Sequence, residues 1–218
     1  MDLGANGGIN PATGAAWQLG DQYRFAFVGS ANRQAQDTDI AVYNSWAQGL
    51  ADASALGIGT DQGVTWNVIG STSTVNARDN TSTNPNVNGT GETIYLLDGG
   101  TVVAINYAQL WDGTIDNAIA IDENGNAKSP SWAFTGTYID GTNSGMGATR
   151  NPLGVNEVSQ AGSTLDQWIW RVNTSASYTN SLPMYAMSDP LTIVPEPSTA
   201  LLAGLGLAGL VLRRRRGK

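Results

Sequence analysis

The chain has 218 residues, a formal net charge of −7 and only 13% charged side chains, and it contains neither cysteine nor histidine. The missing cysteine excludes disulfides, thiolate metal ligands and thiol nucleophiles, and the missing histidine excludes the usual general base and a Ser-His-Asp triad. Residues 1–194 carry 6 basic against 17 acidic groups, a net charge of −11, so nucleic acid is not an expected partner.

The first 20 residues are rich in Gly, Asn and Ala, and we predict irregular structure there. They have neither a basic segment nor an apolar segment of the kind that a signal peptide needs. We therefore expect that any signal peptide lies upstream of Met1.

The clearest predicted helix lies near the start of the chain. A strand is predicted at 23–28, where aromatic residues alternate with others. Residues 37–39 offer N-caps for a helix over 40–56, and Gly57 suits the position after its end. Apolar residues recur there at helical spacing: Tyr43, Trp46, Ala47 and Leu50.

The rest of the body reads as short strands in long loops. Further strands are predicted at 66–69, 94–97, 101–104, 119–121, 133–135, 168–172 and 184–187. Asp98-Gly99-Gly100 predicts a hairpin turn, 107–111 one helical turn, 80–93 a loop, and 191–197 a linker. One main helix followed by short antiparallel strands predicts the α+β class.

The middle of the chain contains a series of aromatic and Asp-Gly motifs in a recognisable order. They include Trp66, Ala77-Arg78-Asp79, Tyr95-Leu96-Leu97-Asp98-Gly99, Leu110-Trp111-Asp112-Gly113, Ile121-Asp122-Glu123-Asn124-Gly125, Phe134-Thr135-Gly136-Thr137 and Asp140-Gly141. The series resembles a bacterial surface-protein family of C-type-lectin-like, endostatin-like fold. The resemblance implies a C-type-lectin-like domain over 21–190 that serves as a binding scaffold, with no reaction.

The last 28 residues, 191–218, have three parts in a fixed order. Val194, Pro195, Glu196 and Pro197 precede an apolar run from Ala200 to Leu212, and Arg213, Arg214, Arg215 and Arg216 follow it. This arrangement resembles the PEP-CTERM sorting signal, whose bearers are recognised by an exosortase, a membrane enzyme. The resemblance implies that exosortase and the inner membrane are partners.

A transmembrane helix is predicted at 198–212. The apolar run is shorter than the roughly 20 residues that span hydrocarbon, but arginine snorkelling and residues 197–199 would lengthen it. The arginine cluster is expected to stay cytoplasmic, which places the body outside. The alternative is an ordinary C-terminal helix buried in a domain. A helix that is apolar on all sides and ends in four arginines suits a soluble core poorly.

Four carboxylates lie close together in the sequence, at Asp112, Asp116, Asp122 and Glu123, with asparagines between them. Such oxygen ligands suit calcium, but a string of Asp-Gly and Asn-Gly turns explains the pattern equally well. The EF-hand pattern fails from Asp122, since Ala127 and Ala133 stand where Gly and Glu are required. We therefore expect no cofactor, with calcium as the alternative.

Other motifs for sugar contact or modification are less specific. Asn84-Pro85-Asn86 and Asn151-Pro152-Leu153 do not match the triplets of sugar-binding C-type lectins. Trp168 and Trp170 share one strand face and are either core residues or a stacking surface for sugar rings. Asparagines that match the N-glycosylation pattern are Asn80, Asn88 and Asn173.

Together these observations predict a non-enzymatic, exported bacterial protein, with no catalytic residues. It would be anchored transiently in the inner membrane, processed by exosortase, and then placed at the cell surface or in the extracellular matrix, with extracellular polysaccharide as a candidate partner. The alternatives are a calcium-dependent glycan-binding module and a carboxylate-based glycan hydrolase, which needs two carboxyl groups facing across a cleft.

Overall fold

The computed structural model describes residues 8–128, 132–143, 145, 151–161 and 174–194. The helices are α1 (Ile40–Ala53), α2 (Ala77–Asn80), α3 (Pro85–Asn88) and α4 (Tyr107–Leu110). The strands are β1 (Ile9–Asn10), β2 (Ala15–Ala16), β3 (Gln22–Val28), β4 (Trp66–Val68), β5 (Thr93–Leu96), β6 (Val102–Ala104), β7 (Ala133–Phe134), β8 (Val158–Ala161), β9 (Thr174–Ala176), β10 (Tyr185–Ser188) and β11 (Leu191–Thr192).

The main sheet has six strands in the order β4-β10-β3-β5-β6, and β11 also pairs with β3. The α+β class is confirmed, but the expectation of antiparallel strands alone is wrong because β3 and β5 run parallel. The chain between them passes through α1, β4, α2 and α3, a crossover long enough to bring β5 back in the same direction. The smaller sheets are the β1-β2 hairpin and β7-β8-β9.

Helix α1 begins where the sequence predicts and ends three residues earlier. The carboxylate of Asp39 accepts a hydrogen bond from the Ala41 N–H at 2.9 Å, which caps the first turn. At the other end Ser54 turns to extended backbone and its hydroxyl donates to the Glu123 carbonyl. That tertiary bond, which local propensity does not reveal, stops the helix before Gly57.

The two faces of the main sheet are covered by different parts of the chain. On one face Phe27, Trp66 and Ala186 pack against α1, whose buried side chains are Tyr43, Ala47 and Ala51. The predicted apolar face of α1 is therefore confirmed, with Trp46 and Leu50 half-buried at its margin. The opposite face carries a second core that includes Ala26, Ile94, Leu96, Tyr107, Leu110 and Trp111.

Both outer edges of the main sheet are occupied by side chains or loops. On β4 the N–H groups of Trp66 and Val68 donate to the side-chain amides of Gln48 and Asn44 on α1. On β6 the Val103 carbonyl accepts from the Asp116 N–H. Capped edges of this kind oppose addition of a further strand.

Several local predictions differ from the structure. Residues 1–20 include the β1-β2 hairpin, and the predicted loop 80–93 holds the end of α2 and all of α3. Residues 119–121 form only an isolated bridge, Ile121 to Ala127, and β8 and β9 were not predicted. The predicted strand 168–172 lies outside the described residues.

The predicted linker also differs, since Leu191 and Thr192 form β11 within the sheet. The predicted transmembrane helix 198–212 lies outside the described residues. Within the part of the chain that the structure describes, none of the helices has the length and hydrophobicity to cross a membrane.

Candidate functional site

The last described residues of the chain, 191–194, continue directly from the main sheet. Leu191 and Thr192 of β11 pair with Tyr23 and Gln22 of β3. The pairing extends one residue further, because the Ile193 N–H donates to the Asp21 carbonyl at 2.9 Å and the Ile193 carbonyl accepts from Gly20 at 3.0 Å. Ile193 is 8% exposed, and the next residue, Val194, is 67% exposed.

A buried ion network supports the point where the C-terminal strands join the body. Arg24 of β3 is 2% exposed, and its Nε lies 3.1 Å from the Glu92 carboxylate. The guanidinium also donates to the carbonyls of Thr81 and Ser188, at 3.0 and 2.9 Å, and Nε donates to the Tyr107 hydroxyl at 2.9 Å. Ser188 is the last residue of β10, so Arg24 fixes the end of that strand.

The tyrosine of this network is protonated over the whole physiological range. Its hydroxyl donates to Glu92. Burial raises the pKa of Tyr107, and the hydrogen bond to Glu92 raises it further, while the nearby Arg24 charge acts in the opposite direction. The phenol therefore serves as a fixed donor, and we assign the network a structural role at the end of β10.

Comparison with known protein families identifies the segment that comes after the sheet. Residues 194–216 match the PEP-CTERM protein-sorting motif. The match begins at Val194, one residue after the last sheet hydrogen bond. The PEP-CTERM signal is the mark of an exosortase substrate, exported by the membrane-anchored exosortase route. No curated protein matches the chain.

The PEP-CTERM residues are described only at their first position. Val194 lies exposed at the end of the sheet. Pro195, Glu196, Pro197 and the cluster Arg213, Arg214, Arg215 and Arg216 lie outside the described residues, so their predicted roles stay predictions. Val194 precedes a proline, which favours extended backbone and supplies no N–H to continue the ladder.

Of the four calcium candidates, two are exposed and accept hydrogen bonds from nearby residues, and two are buried. Asp112 is exposed and accepts from the Thr114 N–H and hydroxyl, and Asp116 accepts from the Gln109 amide. Asp122 is 6% exposed and accepts from the backbone N–H groups of Asn124 and Asn126. No three acidic side chains among the described residues are grouped so that they could hold a metal ion.

Glu123 holds its loop against the end of β3. The side chain is 2% exposed and accepts from the N–H of Ser30 at 2.8 Å, and also from the Ser30 hydroxyl. Lys128 donates to the carbonyls of Gly29 and Ser30, both at 2.6 Å. Desolvation lowers the pKa of Lys128, while Glu123 and Asp122 act in the opposite direction. The hydrogen bonds that Asp122 and Glu123 accept give both carboxylates a structural function.

A groove of about 360 Å³ lies between α1 and the edge strand β4. Most of the residues that line it are of polar types: Asn44, Ser45, Gln48, Gly49, Asp52, Thr65, Trp66 and Asn67. Hydrogen bonds from Thr60 and Gln48 lower the pKa of the exposed Asp52 carboxyl. Sequence reasoning missed this groove because its residues come from two segments that only the packing of α1 on β4 brings together.

The structure describes some of the candidates for sugar contact and modification and leaves others outside the described residues. Trp168, Trp170 and Asn173 lie outside the described residues. Asn80 forms a reciprocal amide pair with Asn44, and its Nδ2 also donates to the Val68 carbonyl at 2.8 Å. Asn88 is exposed at the end of α3, so it is the more accessible acceptor of the two described.

Proposed function

We propose that this protein is an exported exosortase substrate whose body has a non-catalytic binding or structural role at the cell surface or in the extracellular matrix. The observation that carries the proposal is the PEP-CTERM motif over 194–216, which begins one residue after the last described hydrogen bond of the sheet. The tail would anchor the chain in the inner membrane through a helix at 198–212 until exosortase processes it.

The charge distribution supports an orientation in the membrane with the C-terminal arginines in the cytoplasm. Five of the 11 basic residues lie in the last six positions, and the body before them is acidic. A cluster of four arginines resists translocation, whereas an acidic body does not. The membrane helix would therefore leave the arginines in the cytoplasm and the body outside.

The hydrogen bonds accepted by the body's acidic side chains support a non-catalytic role. The candidate acids Asp112, Asp122 and Glu123 accept hydrogen bonds that close turns or attach loops. The proposed C-type-lectin-like scaffold is supported by β3, near the start of the chain, pairing with β10 and β11 at its end. The loops that join the intervening helices and strands would be the surface that such a scaffold offers to a ligand.

The direct test is the mass of the mature chain. In a host with exosortase, intact-mass spectrometry of surface material is expected to show a chain without Arg213 to Arg216. A matched variant in which Pro195, Glu196 and Pro197 are all changed to Ala should keep its full C-terminus. A wild-type surface chain that retains the arginines would refute processing.

A second experiment tests orientation. Changing Arg213 to Arg216 to Ser should impair membrane retention or orientation, because the positive charge that holds the cytoplasmic end is lost. Changing the same four residues to Lys keeps the charge and should preserve both. If the Ser variant fractionates like the wild type, the arginine cluster does not set the topology.

The alternative of a glycan-binding body is favoured by the groove beside β4. Amide, hydroxyl and carboxylate groups line it, and such groups recognise sugar hydroxyls. Its test is a glycan array with and without Ca²⁺, with Asn67→Ala as the groove variant and Asn88→Ala as the matched control. Binding that needs Asn67, or that needs Ca²⁺, would establish the lectin alternative.

The alternative of a glycan hydrolase has weaker support at this groove. Among the described residues that line it, Asp52 is the one carboxylate, whereas hydrolysis of this type requires a pair of acids. The test is release of reducing sugar from extracellular polysaccharide. Activity that Asp52→Asn abolishes would replace the non-catalytic role.

A further inference from the structure

Sheet hydrogen bonding continues up to the last residue before the sorting motif. Both backbone groups of Ile193 are engaged, its N–H with Asp21 and its carbonyl with Gly20. Val194, the first residue of the motif, is exposed. The motif is thus attached to a folded sheet, with no free segment between them.

Extended peptide segments are commonly recognised through their main-chain N–H and C=O groups. Here the residues on the N-terminal side of Val194 already use their backbone groups in pairing with β3. The β1-β2 hairpin lies near this point, because Asn10 Nδ2 donates to the carboxylate of Asp21, whose carbonyl accepts from Ile193. An exosortase that binds the backbone on this side of the motif therefore requires residues 191–193 to leave the sheet.

The structure allows residues 191–193 to detach from β3 without opening the rest of the sheet. Among the described strands β11 pairs with β3 alone; Thr192 is exposed, Leu191 is half-buried, and Ile193 is the one buried side chain of residues 191–193. Pro190 separates β11 from β10, whose four residues are buried between β3 and β4. Segments with few buried contacts open before the rest of a domain, so β11 can detach while β10 stays in place.

We propose that β11 is a latch on the sorting signal, and that exosortase acts on the motif when residues 191–193 are detached from β3. The inference rests on the proposed exosortase processing and adds its control by the folded body. The closed latch slows processing of the folded chain, and the frequency of opening sets the processing rate.

The absence of cysteine from the chain permits a direct test. Thr192 pairs with Gln22, and both side chains are exposed. Because Ile193 exchanges hydrogen bonds at the neighbouring position, Thr192 and Gln22 form the non-hydrogen-bonded pair, which has the closer Cα atoms and accommodates a disulfide. The double variant Gln22→Cys with Thr192→Cys would therefore lock the latch when oxidised.

A matched control cross-links the hairpin that does not contain β11. Ile9 pairs with Ala16, both are exposed, and Trp17 donates to Gly8 at the neighbouring position, so this pair has the same type of geometry. The double variant Ile9→Cys with Ala16→Cys introduces one disulfide but leaves residues 191–193 free to detach.

The measurement is the rate at which purified full-length chain loses its tail to exosortase-containing membranes, followed by intact mass. The oxidised lock should be processed about tenfold or more slowly than wild type, and reductant should restore the rate. The oxidised control should match wild type. Equal rates for the oxidised lock and wild type would overturn the latch.

A spacer separates access from other effects of the cross-link. Inserting about six Gly and Ser residues between Ile193 and Val194 gives the motif its own flexible segment. The oxidised lock with this spacer should be processed at the rate of the spacer variant alone. If it stays slow, the cross-link acts other than by restricting access, and the latch is refuted.

Failure of the latch differs from failure of the sorting function. If wild-type chain keeps its tail in the presence of active exosortase, the processing function fails and the latch fails with it. If wild-type chain is processed, the triple Ala variant of Pro195, Glu196 and Pro197 is not, and the oxidised lock equals wild type, then sorting holds and the latch alone is wrong.

Discussion

β10 and β11 are consecutive strands of the chain that pair with the same partner, yet they are held very differently. β10 lies between β3 and β4, and all four of its residues are buried. β11 has β3 as its partner, and its two side chains are half-buried and exposed. Both strands run antiparallel to β3, but β10 has a second partner in β4 and buries its side chains, and these two differences make it the stronger anchor.

The boundary between the two strands is built by Arg24 and Ser188. The Ser188 hydroxyl accepts from the Phe25 N–H at 3.0 Å, and the Ser188 carbonyl accepts from the Arg24 guanidinium at 2.9 Å. Asp189 and Pro190 then interrupt the ladder before β11. The chain is thus fixed firmly up to Ser188 and weakly from Leu191, which separates the stable body from the region that carries the sorting signal.

The largest expected effect is at the boundary itself. Arg24→Met should lower the free energy of unfolding by about 3–5 kcal/mol, because Glu92 loses its cation and the carbonyls of Thr81 and Ser188 lose their donor. Urea unfolding followed by Trp fluorescence measures it. The control is Arg33→Met, which breaks the more exposed pair with Asp37 and should cost about 1–2 kcal/mol. Equal losses would mean that burial does not distinguish the two pairs.

Substitution within β10 should rank next. Met187→Ala removes a side chain that is 1% exposed in the core opposite α1 and should cost about 2–4 kcal/mol. Leu191→Ala, the corresponding truncation in β11, should cost less than about 1 kcal/mol because Leu191 is half-buried. The same urea titration compares them. A loss at Leu191 as large as that at Met187 would remove the distinction between the strands.

Removal of β11 gives a smaller change. A chain ended at Pro190 should be about 1–3 kcal/mol less stable than one ended at Val194, since it loses the ladder with β3 and the buried Ile193. Both chains should fold and keep the same near-UV circular dichroism. If the shorter chain fails to fold, β11 is an integral part of the body and cannot open on its own.

The smallest effect appears in alkaline solution. Burial raises the pKa of Tyr185 in β10 above its usual value near 10. Below pH 10 this has no consequence, but above it the unfolded chain loses the proton first, so stability falls as pH rises, by up to about 1.4 kcal/mol per unit for one group. Tyr185→Phe should make the decline between pH 10 and 11 less steep in urea titrations. Tyr43 and Tyr107 have raised pKa values for the same reason and account for a remaining slope. An unchanged slope would place the proton loss elsewhere.

Local pattern was enough for the regular elements and for the tail. Strand β3, helix α1 with its Asp39 cap, the β5-β6 hairpin and β10 follow from alternation, helical spacing and turn residues, all of which act within a few positions of the chain. The tail motif is likewise a linear pattern, and its match over 194–216 confirms that part of the prediction. The elements missed were those whose pairing is non-local, such as β8 and β9, or too short to show a period, such as α2 and α3.

The sequence by itself therefore determined the α+β class, the main helix and the PEP-CTERM signal, because each is written in residues that are close along the chain. Only the tertiary structure decided that Arg24 meets Glu92 from 68 positions away, that α1 and β4 form a groove, and that residues 191–193 belong to the sheet instead of a free linker. Those outcomes depend on which strands become neighbours. A linker and an edge strand of two residues have the same local sequence character, and the difference arises when β3 provides a partner.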